Sequence, residues 1–165
     1  MQIEEQHDAA LKKVAEMVGD TKFAMLTIVE RDGTLRSRPM STMQLDAEGN
    51  LWFFTSQSSL KFVEGQRQWQ VNLCYVRTDK QDYLSISGSA QFVHDKEKMK
   101  DLWTPEIKPW FPNGLDDPDL TLLKVSIVEA EYWDAPDSAV ERAYGLAKAL
   151  TTGNTDALGE NRKIE

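Results

Sequence analysis

The chain has 165 residues, 41% of them hydrophobic, a formal net charge of −8 and a pI near 4.8. That length fits one domain with a core of its own, and the acidic balance argues against a nucleic-acid surface, which needs a basic face to displace phosphate counterions. No apolar run is long enough to cross a bilayer, and the polar start Met1-Gln2-Ile3-Glu4-Glu5-Gln6 is unlike a secretory signal, so the expectation is a cytoplasmic protein with no membrane partner.

Ala10, Leu11, Val14, Met17 and Val18 recur at helical spacing and stop at Gly19, which predicts an amphipathic N-terminal helix. Phe23 to Val29 reads as a strand, and Arg31-Asp32-Gly33-Thr34 as the turn to an antiparallel partner. That partner carries Arg36, Ser37, Arg38, Pro39, Met40 and Ser41. Side chains alternate along a strand, so Arg36 and Arg38 share a face and Ser37 points the other way. Two guanidiniums on one face suit a phosphate or carboxylates. Pro39 cannot donate to a ladder and belongs at an edge or a bulge.

After a turn over Asp46 to Asn50, Leu51 to Thr55 forms a compact aromatic strand. Ser56 to Lys61 then reads as a helix start with Ser58 or Ser59 as its N-cap. Lys61 in the first turn opposes the helix dipole, a conflict that a bound anion would remove. Arginines and lysines usually form solvated faces, and short motifs of this kind often mislead. It is the order of the elements that favours an anion site.

The short helix is expected over 59–67, with strands near 70–76 and 83–93. Asp95 to Trp103 is a capped helix with a lysine-rich outer face, ended by Pro105. Strands follow over 120–127 and 129–134, the second continuing the first through a bend. A last helix is expected from Pro136 to Leu150, with Asp137 and Ser138 at its start, and the polar remainder Thr151 to Glu165 has little to bury. The expected organisation is one domain over 1–150 and a tail over 151–165. Strands joined by short turns, with helices at the margins, predict a mainly β, α+β domain built as a small antiparallel barrel with accessory helices.

Cys74 is the only cysteine, which excludes an internal disulfide and a zinc cluster of thiolates. Within the strand Val71 to Val76 it reads as a small buried hydrophobe. His7 and His94 stand apart among charged residues and form no metal motif. Asp116, Asp117 and Asp119 lack the ligand spacing of a calcium loop and read as a turn or a helix cap. Trp103, Trp110 and Phe111 suit a core or interface, or a cover over a bound ring. Glu131 and Asp134 form no catalytic pair.

Taken in order, Arg36-Ser37-Arg38-Pro39-Met40, Leu51-Trp52-Phe53-Phe54-Thr55-Ser56 with Ser59 and Lys61, Val71-Asn72-Leu73-Cys74-Tyr75 and Tyr83-Leu84-Ser85-Ile86-Ser87-Gly88-Ser89-Ala90 resemble the pyridoxamine 5'-phosphate oxidase-like FMN-binding split β-barrels. Leu102-Trp103-Thr104-Pro105, Trp110-Phe111-Pro112-Asn113-Gly114, Asp116-Asp117-Pro118-Asp119 and Ala130-Glu131-Tyr132-Trp133-Asp134 resemble the general stress protein subgroup, so the likeness covers nearly the whole chain. It implies FMN as cofactor, with Arg36 to Ser41 beside the flavin, Arg36 or Arg38 on its phosphate, and Ser59 and Lys61 completing the grip. It implies Phe54 and Thr55 along the ring. Tyr83 falls where the oxidases place a glutamine that reaches the flavin from the second subunit, and Trp110 is the candidate cover.

The resemblance further implies a homodimeric oxidoreductase with a small-molecule electron donor or acceptor, the flavin carrying the redox step. The other readings are a flavin-binding or flavin-sequestering stress protein without turnover, a pyridoxamine 5'-phosphate oxidase, and a deazaflavin-dependent reductase. Against the oxidase, Trp133-Asp134 is followed by Ala135-Pro136-Asp137-Ser138 where those enzymes carry an arginine-rich segment that grips substrate. The chain offers no convincing haem ligand.

Overall fold

The computed structural model describes residues 1–60, 67–134, 136, 147, 148, 150 and 160–164, and the backbone alone of 61–63. Its strands are β1 (Gln2–Ile3), β2 (Phe23–Val29), β3 (Leu35–Leu45), β4 (Asn50–Ser56), β5 (Trp69–Arg77), β6 (Asp82–Val93), β7 (Leu120–Asp134) and β8 (Glu160–Ile164). Helices α1 (Ala9–Thr21) and α2 (Lys96–Leu102) and three 3₁₀ segments accompany them. The order β3-β2-β5-β6-β7-β4, with β4 returning to β3, closes a six-stranded antiparallel barrel. This is the mainly β fold with accessory helices that the sequence predicts. No helix among the described residues is long and apolar enough to cross a membrane.

Alternation builds the barrel interior. Ala24, Leu26 and Ile28 of β2 are buried between exposed Phe23, Met25 and Val29, and they meet Leu51, Phe53, Leu73, Tyr75, Leu84, Ile86, Leu123 and Val125 from the other strands. The apolar stripe of α1, Val14, Ala15, Met17 and Val18, packs onto this same core. Asp8 caps α1 through the N–H groups of Ala10 and Leu11. The helix passes Gly19, where the sequence predicts its end, and stops at Lys22, whose φ is 61°. One interior glycine lowers helix stability without breaking the hydrogen-bond ladder.

A second core lies outside the barrel, where Met43, Trp52, Leu120 and Leu122 pack against Met99, Leu102, Ile107 and Phe111 of α2 and the following loop. Asp95 caps α2. Trp52 also donates its indole N–H to Asp46 at 2.7 Å. Burial pushes the Asp46 carboxyl up, but its hydrogen bonds from Trp52, Asn50 and Glu48 outweigh that and hold it below the usual carboxylate range.

β7 is one strand across both expected segments, with a bulge that skips Val128 where Ser87 faces Glu129 and Gly88 faces Ile127. Before the bulge β7 pairs with β4, and after it with β8. Of the tail, 151–159 and 165 lie outside the described residues, and the described part, Glu160–Ile164, is thus an edge strand tied by the ladder and by the Lys163–Glu129 ion pair at 2.9 Å. Its charged sequence carries no alternation that would announce a strand, and edge strands commonly carry such charge. Of the expected C-terminal helix, Pro136, Ala147, Lys148 and Leu150 are described, and the last three are helical; the remainder lies outside the described residues.

Cys74 differs from expectation: it is half-buried on the outer face of β5, where its thiol donates to Asn72 Oδ1 at 3.2 Å. Leu73 and Tyr75 take the inward positions beside it. Where the sequence predicts a helix over 59–67, a 3₁₀ segment spans Gln57–Val63, and 64–66 lie outside the described residues.

Gly88 lets β6 and β7 approach at the bulge. A Cβ there would lie 2.5 Å from Val125 Cγ1 and 2.9 Å from the Ser126 carbonyl oxygen. Gly88→Ala should therefore lower stability by about 1–3 kcal/mol through overpacking, read as a lower urea midpoint at unchanged slope; an unshifted midpoint would contradict this packing.

Candidate functional site

β3 is paired unevenly. Leu35 to Ser41 face β2 throughout, from Val29↔Leu35 to Phe23↔Ser41, whereas β4 meets β3 only at Thr42, Gln44 and Leu45, across an irregular register between Thr42 and Gln44. The first part of β3 therefore leaves β4 and opens a split in the barrel wall. Pro39 sits in this singly paired stretch, where a missing N–H is tolerated.

Register fixes which side chains look into the split. Met40, Arg38 and Arg36 stand opposite Ala24, Leu26 and Ile28, all buried in the barrel, so the three share the inward face. Met40 is buried, Arg38 half-buried and Arg36 exposed, a gradient running from core to solvent. Arg38 crosses the split: Nη1 donates to Ser59 Oγ at 3.1 Å and Nη2 to the Ser59 carbonyl at 3.2 Å. Ser59 Oγ donates in turn to the Ser56 carbonyl at 2.7 Å. Ser37 and Ser41 point outward, Ser37 sharing a hydrogen bond with Thr27 at 2.8 Å.

An open cavity of about 730 Å³ lies here, lined by Glu30, Arg31, Asp32, Thr34, Leu35, Arg36, Ser58 and Ser59. Its size suits a small-molecule ligand. The Arg38 guanidinium is held below its ordinary pKa by burial and by the charge of Arg36, with Glu30 acting in the opposite sense. Arginine stays charged regardless, so the two cations repel, and an anion between them relieves that cost.

The start of the 3₁₀ segment differs from the sequence expectation. Neither Ser58 nor Ser59 is its cap; both lie within it. Asp119 reaches in from the loop before β7 and accepts from the Ser58 N–H at 2.8 Å, from the Ser58 hydroxyl at 2.6 Å and from the Ser56 hydroxyl. The cap reading of the aspartate cluster holds, and the carboxylate needed at this start comes from the chain itself. Anion chemistry at the split rests on guanidinium and hydroxyl groups. The Lys61 side chain lies outside the described residues.

Of the other site residues predicted from the sequence, Phe54 turns outward onto Trp103, ring centroids 5.6 Å apart and edge-on, and Thr55 is buried. Tyr83 stands on the outer face of β6, three strands from β3, and Trp110 is 75% exposed in the loop after α2. None of the four lines the cavity. The structure thus gathers Arg36, Arg38, Ser59 and Met40 within one chain. Trp103 and Phe111 are second-core residues. Glu30 was missed, although it lies two positions beyond inward-facing Ile28 on the same face and diagonal to Arg36. The outer face of the sheet also carries a band of exposed apolar side chains: Phe23, Met25, Val29, Leu35, Val76, Tyr83 and Trp133.

The sequence matches a family model for pyridoxamine 5'-phosphate oxidase-like proteins over residues 9–157. The protein bli-3 of Neurospora crassa is 25% identical over 167 residues, spanning 95% of this chain and 80% of that protein. Among solved structures, a candidate general stress protein 26 from Jannaschia sp. CCS1 superposes with a TM-score of 0.71 at 25% identity, covering 90% of this chain and 93% of the other. The general stress FMN/FAD binding protein of Xanthomonas citri gives a TM-score of 0.67 at 27% identity over 77% and 89% of the two chains. With a match running from α1 past β7 and enclosing the whole barrel, this chain belongs to the pyridoxamine 5'-phosphate oxidase-like family.

Proposed function

We propose that this protein is an FMN-binding flavoprotein of the general stress type, acting as an oxidoreductase with a small-molecule electron donor or acceptor. The observation that carries the reading is the Arg38 bridge to Ser59 across the split, with Arg36 on the same face beside an open cavity. A phosphomonoester carries about −1.5 to −2 charge at neutral pH, and two guanidiniums with an adjacent hydroxyl are the donor set it favours. The similarity to the general stress FMN/FAD binding protein of Xanthomonas citri supports the choice of ligand. Bound FMN supplies hydride and electron transfer. The chain's own work is binding and orientation: Arg36 and Arg38 hold the charge, Ser59 fixes Arg38, and buried Met40 walls the inner end of the split. Lys61, Phe54 and Thr55 are assigned to the cofactor by resemblance, and Trp110 as an exposed aromatic in a long loop that could cover it.

We further propose a homodimer joined through the outer-face apolar band. Val76, Tyr83 and Trp133 stand side by side across β5, β6 and β7, and with Phe23 at 61% exposure they are large apolar groups that a second copy would cover, as exposed apolar patches mark interaction surfaces. Tyr83 belongs to the band, so its role at a flavin is one played across the dimer.

Losing a charge-assisted phosphate contact costs about 1.5–3 kcal/mol, so Arg38→Ala should weaken FMN binding roughly ten- to a hundredfold while riboflavin, which binds less tightly to the parent, changes little. Unchanged FMN affinity would sink the assignment. Sedimentation at micromolar concentration should give a dimer with and without FMN; a stable monomer with full FMN affinity would reject the dimer. Under anaerobic stopped flow, pyridoxamine 5'-phosphate should fail to reduce the flavin, for want of the arginine-rich substrate segment, whereas NADH or NADPH should reduce it. Rapid reduction by pyridoxamine 5'-phosphate would overturn that exclusion, and no reduction by any donor would favour flavin storage without turnover.

A further inference from the structure

Among the cavity residues, Glu30 carries an opposite charge to the arginines it faces. The hairpin turn fixes it on the rim: its N–H donates to the Thr34 carbonyl at 2.8 Å, and its own carbonyl accepts from Gly33 at 3.0 Å. Its Oε1 is buried without a hydrogen bond and lies 3.3 Å from Arg36 Nη1. This oxygen is thus matched by charge and left unmatched in hydrogen bonding. Arg36 is the more exposed member, with 65% of its side chain exposed against 22% for Glu30, so solvent leaves room for its guanidinium to turn from the carboxylate toward a ligand by side-chain rotation. Asp32, the other acid of the rim, is already engaged by the Thr34 N–H and hydroxyl.

We infer that Glu30 is an internal counter-ion that competes with the ligand's phosphate for Arg36, and so sets both the affinity of the site and its preference between phosphorylated and unphosphorylated flavin. The inference rests on the flavin-phosphate reading. Two effects of Glu30 oppose one another. As a positioning partner it would help by holding Arg36, but an ion pair with so exposed an arginine contributes little. As a fixed negative charge in the same cavity it repels the incoming phosphate and occupies one of the arginine's donors. At the effective dielectric of a surface site, repulsion by one carboxylate is about a decade in affinity. Competition therefore outweighs positioning. When the ligand leaves, Arg36 returns to Glu30, and the site is partly neutralised by its own side chain. Neutral riboflavin escapes the penalty, so Glu30 narrows the gap between FMN and riboflavin that the arginines create.

Calorimetric titration of full-length protein with FMN, riboflavin and inorganic phosphate separates these effects, using the parent, Glu30→Gln and Glu5→Gln. The last removes the same charge beyond β1, at the opposite end of β3 from Arg36. Glu30→Gln should bind FMN and phosphate about tenfold more tightly, with riboflavin unchanged and the gain shrinking at high salt, while Glu5→Gln matches the parent. Equal or weaker FMN and phosphate binding in Glu30→Gln would overturn the inference, as would an equal gain for riboflavin or in Glu5→Gln. If the parent prefers FMN to riboflavin and Glu30→Gln changes nothing, the flavin reading stands and the role of Glu30 falls. If phosphate binds more tightly to Glu30→Gln but no flavin binds, the counter-ion role stands and the flavin reading falls.

Discussion

β3 runs for eleven residues, yet β4 meets it only from Thr42 onward. The barrel therefore closes at one end of β3 and stays open at the other. At the closed end, the β3–β4 turn is held by the Asp46 carboxylate, which gathers the Asn50 backbone and side-chain N–H groups and the Trp52 indole. Gly49, at φ 77°, provides the left-handed residue the turn requires. At the open end, among the described residues, no strand pairs with the free edge of β3 opposite β2. Side chains that would otherwise lie in the core can be arginines there, because their heads reach solvent while their stems lie along the wall.

The gradient from Met40 to Arg38 to Arg36 follows from that geometry. A cation at the Met40 position would be buried in the barrel and would need a partner the core does not provide. Arg38, at the half-buried position, finds one in Ser59, and Arg36 finds one in Glu30. Two cations are thus concentrated at this gap in the wall, in a chain whose net charge is −8. The second core stiffens the other lip of the gap, since Trp52 and Phe54 of β4 are clamped against α2 and Trp103. The proposed anion site lies between an edge segment and a braced strand, a combination that holds donors in place without filling the space between them.

Local signals in the sequence carried the barrel strands well. β2 alternates cleanly and stands over Phe23–Val29 as read, and the shared face of Arg36 and Arg38 follows from a period of two that no tertiary context can alter. The Asp95 cap of α2 and the bend within β7 were legible for the same local reason. What escaped were features set by distant parts of the chain. Asp119 caps the 3₁₀ segment from 61 residues away, so nothing near Ser58 announces it. β8 owes its existence to the ladder offered by β7 beyond the bulge rather than to its own composition. A lone cysteine in an apolar strand usually points inward; the register of Cys74 with Met25 and Ser85 places it outward. The family pattern brings Tyr83, and the long aromatic loop brings Trp110, toward the arginines, whereas within one chain both stand apart from them.

The account stands or falls on whether the split between β3 and β4 is where the phosphate goes. A crystal structure of the protein grown with FMN tests this directly. The account predicts the phosphate in the cavity beside the 3₁₀ segment, with its oxygens about 2.7–2.9 Å from guanidinium nitrogens of Arg38 or Arg36 and the Ser59 hydroxyl within reach. A phosphate bound elsewhere, with the Arg38 bridge to Ser59 intact and no contact to either arginine, would contradict it.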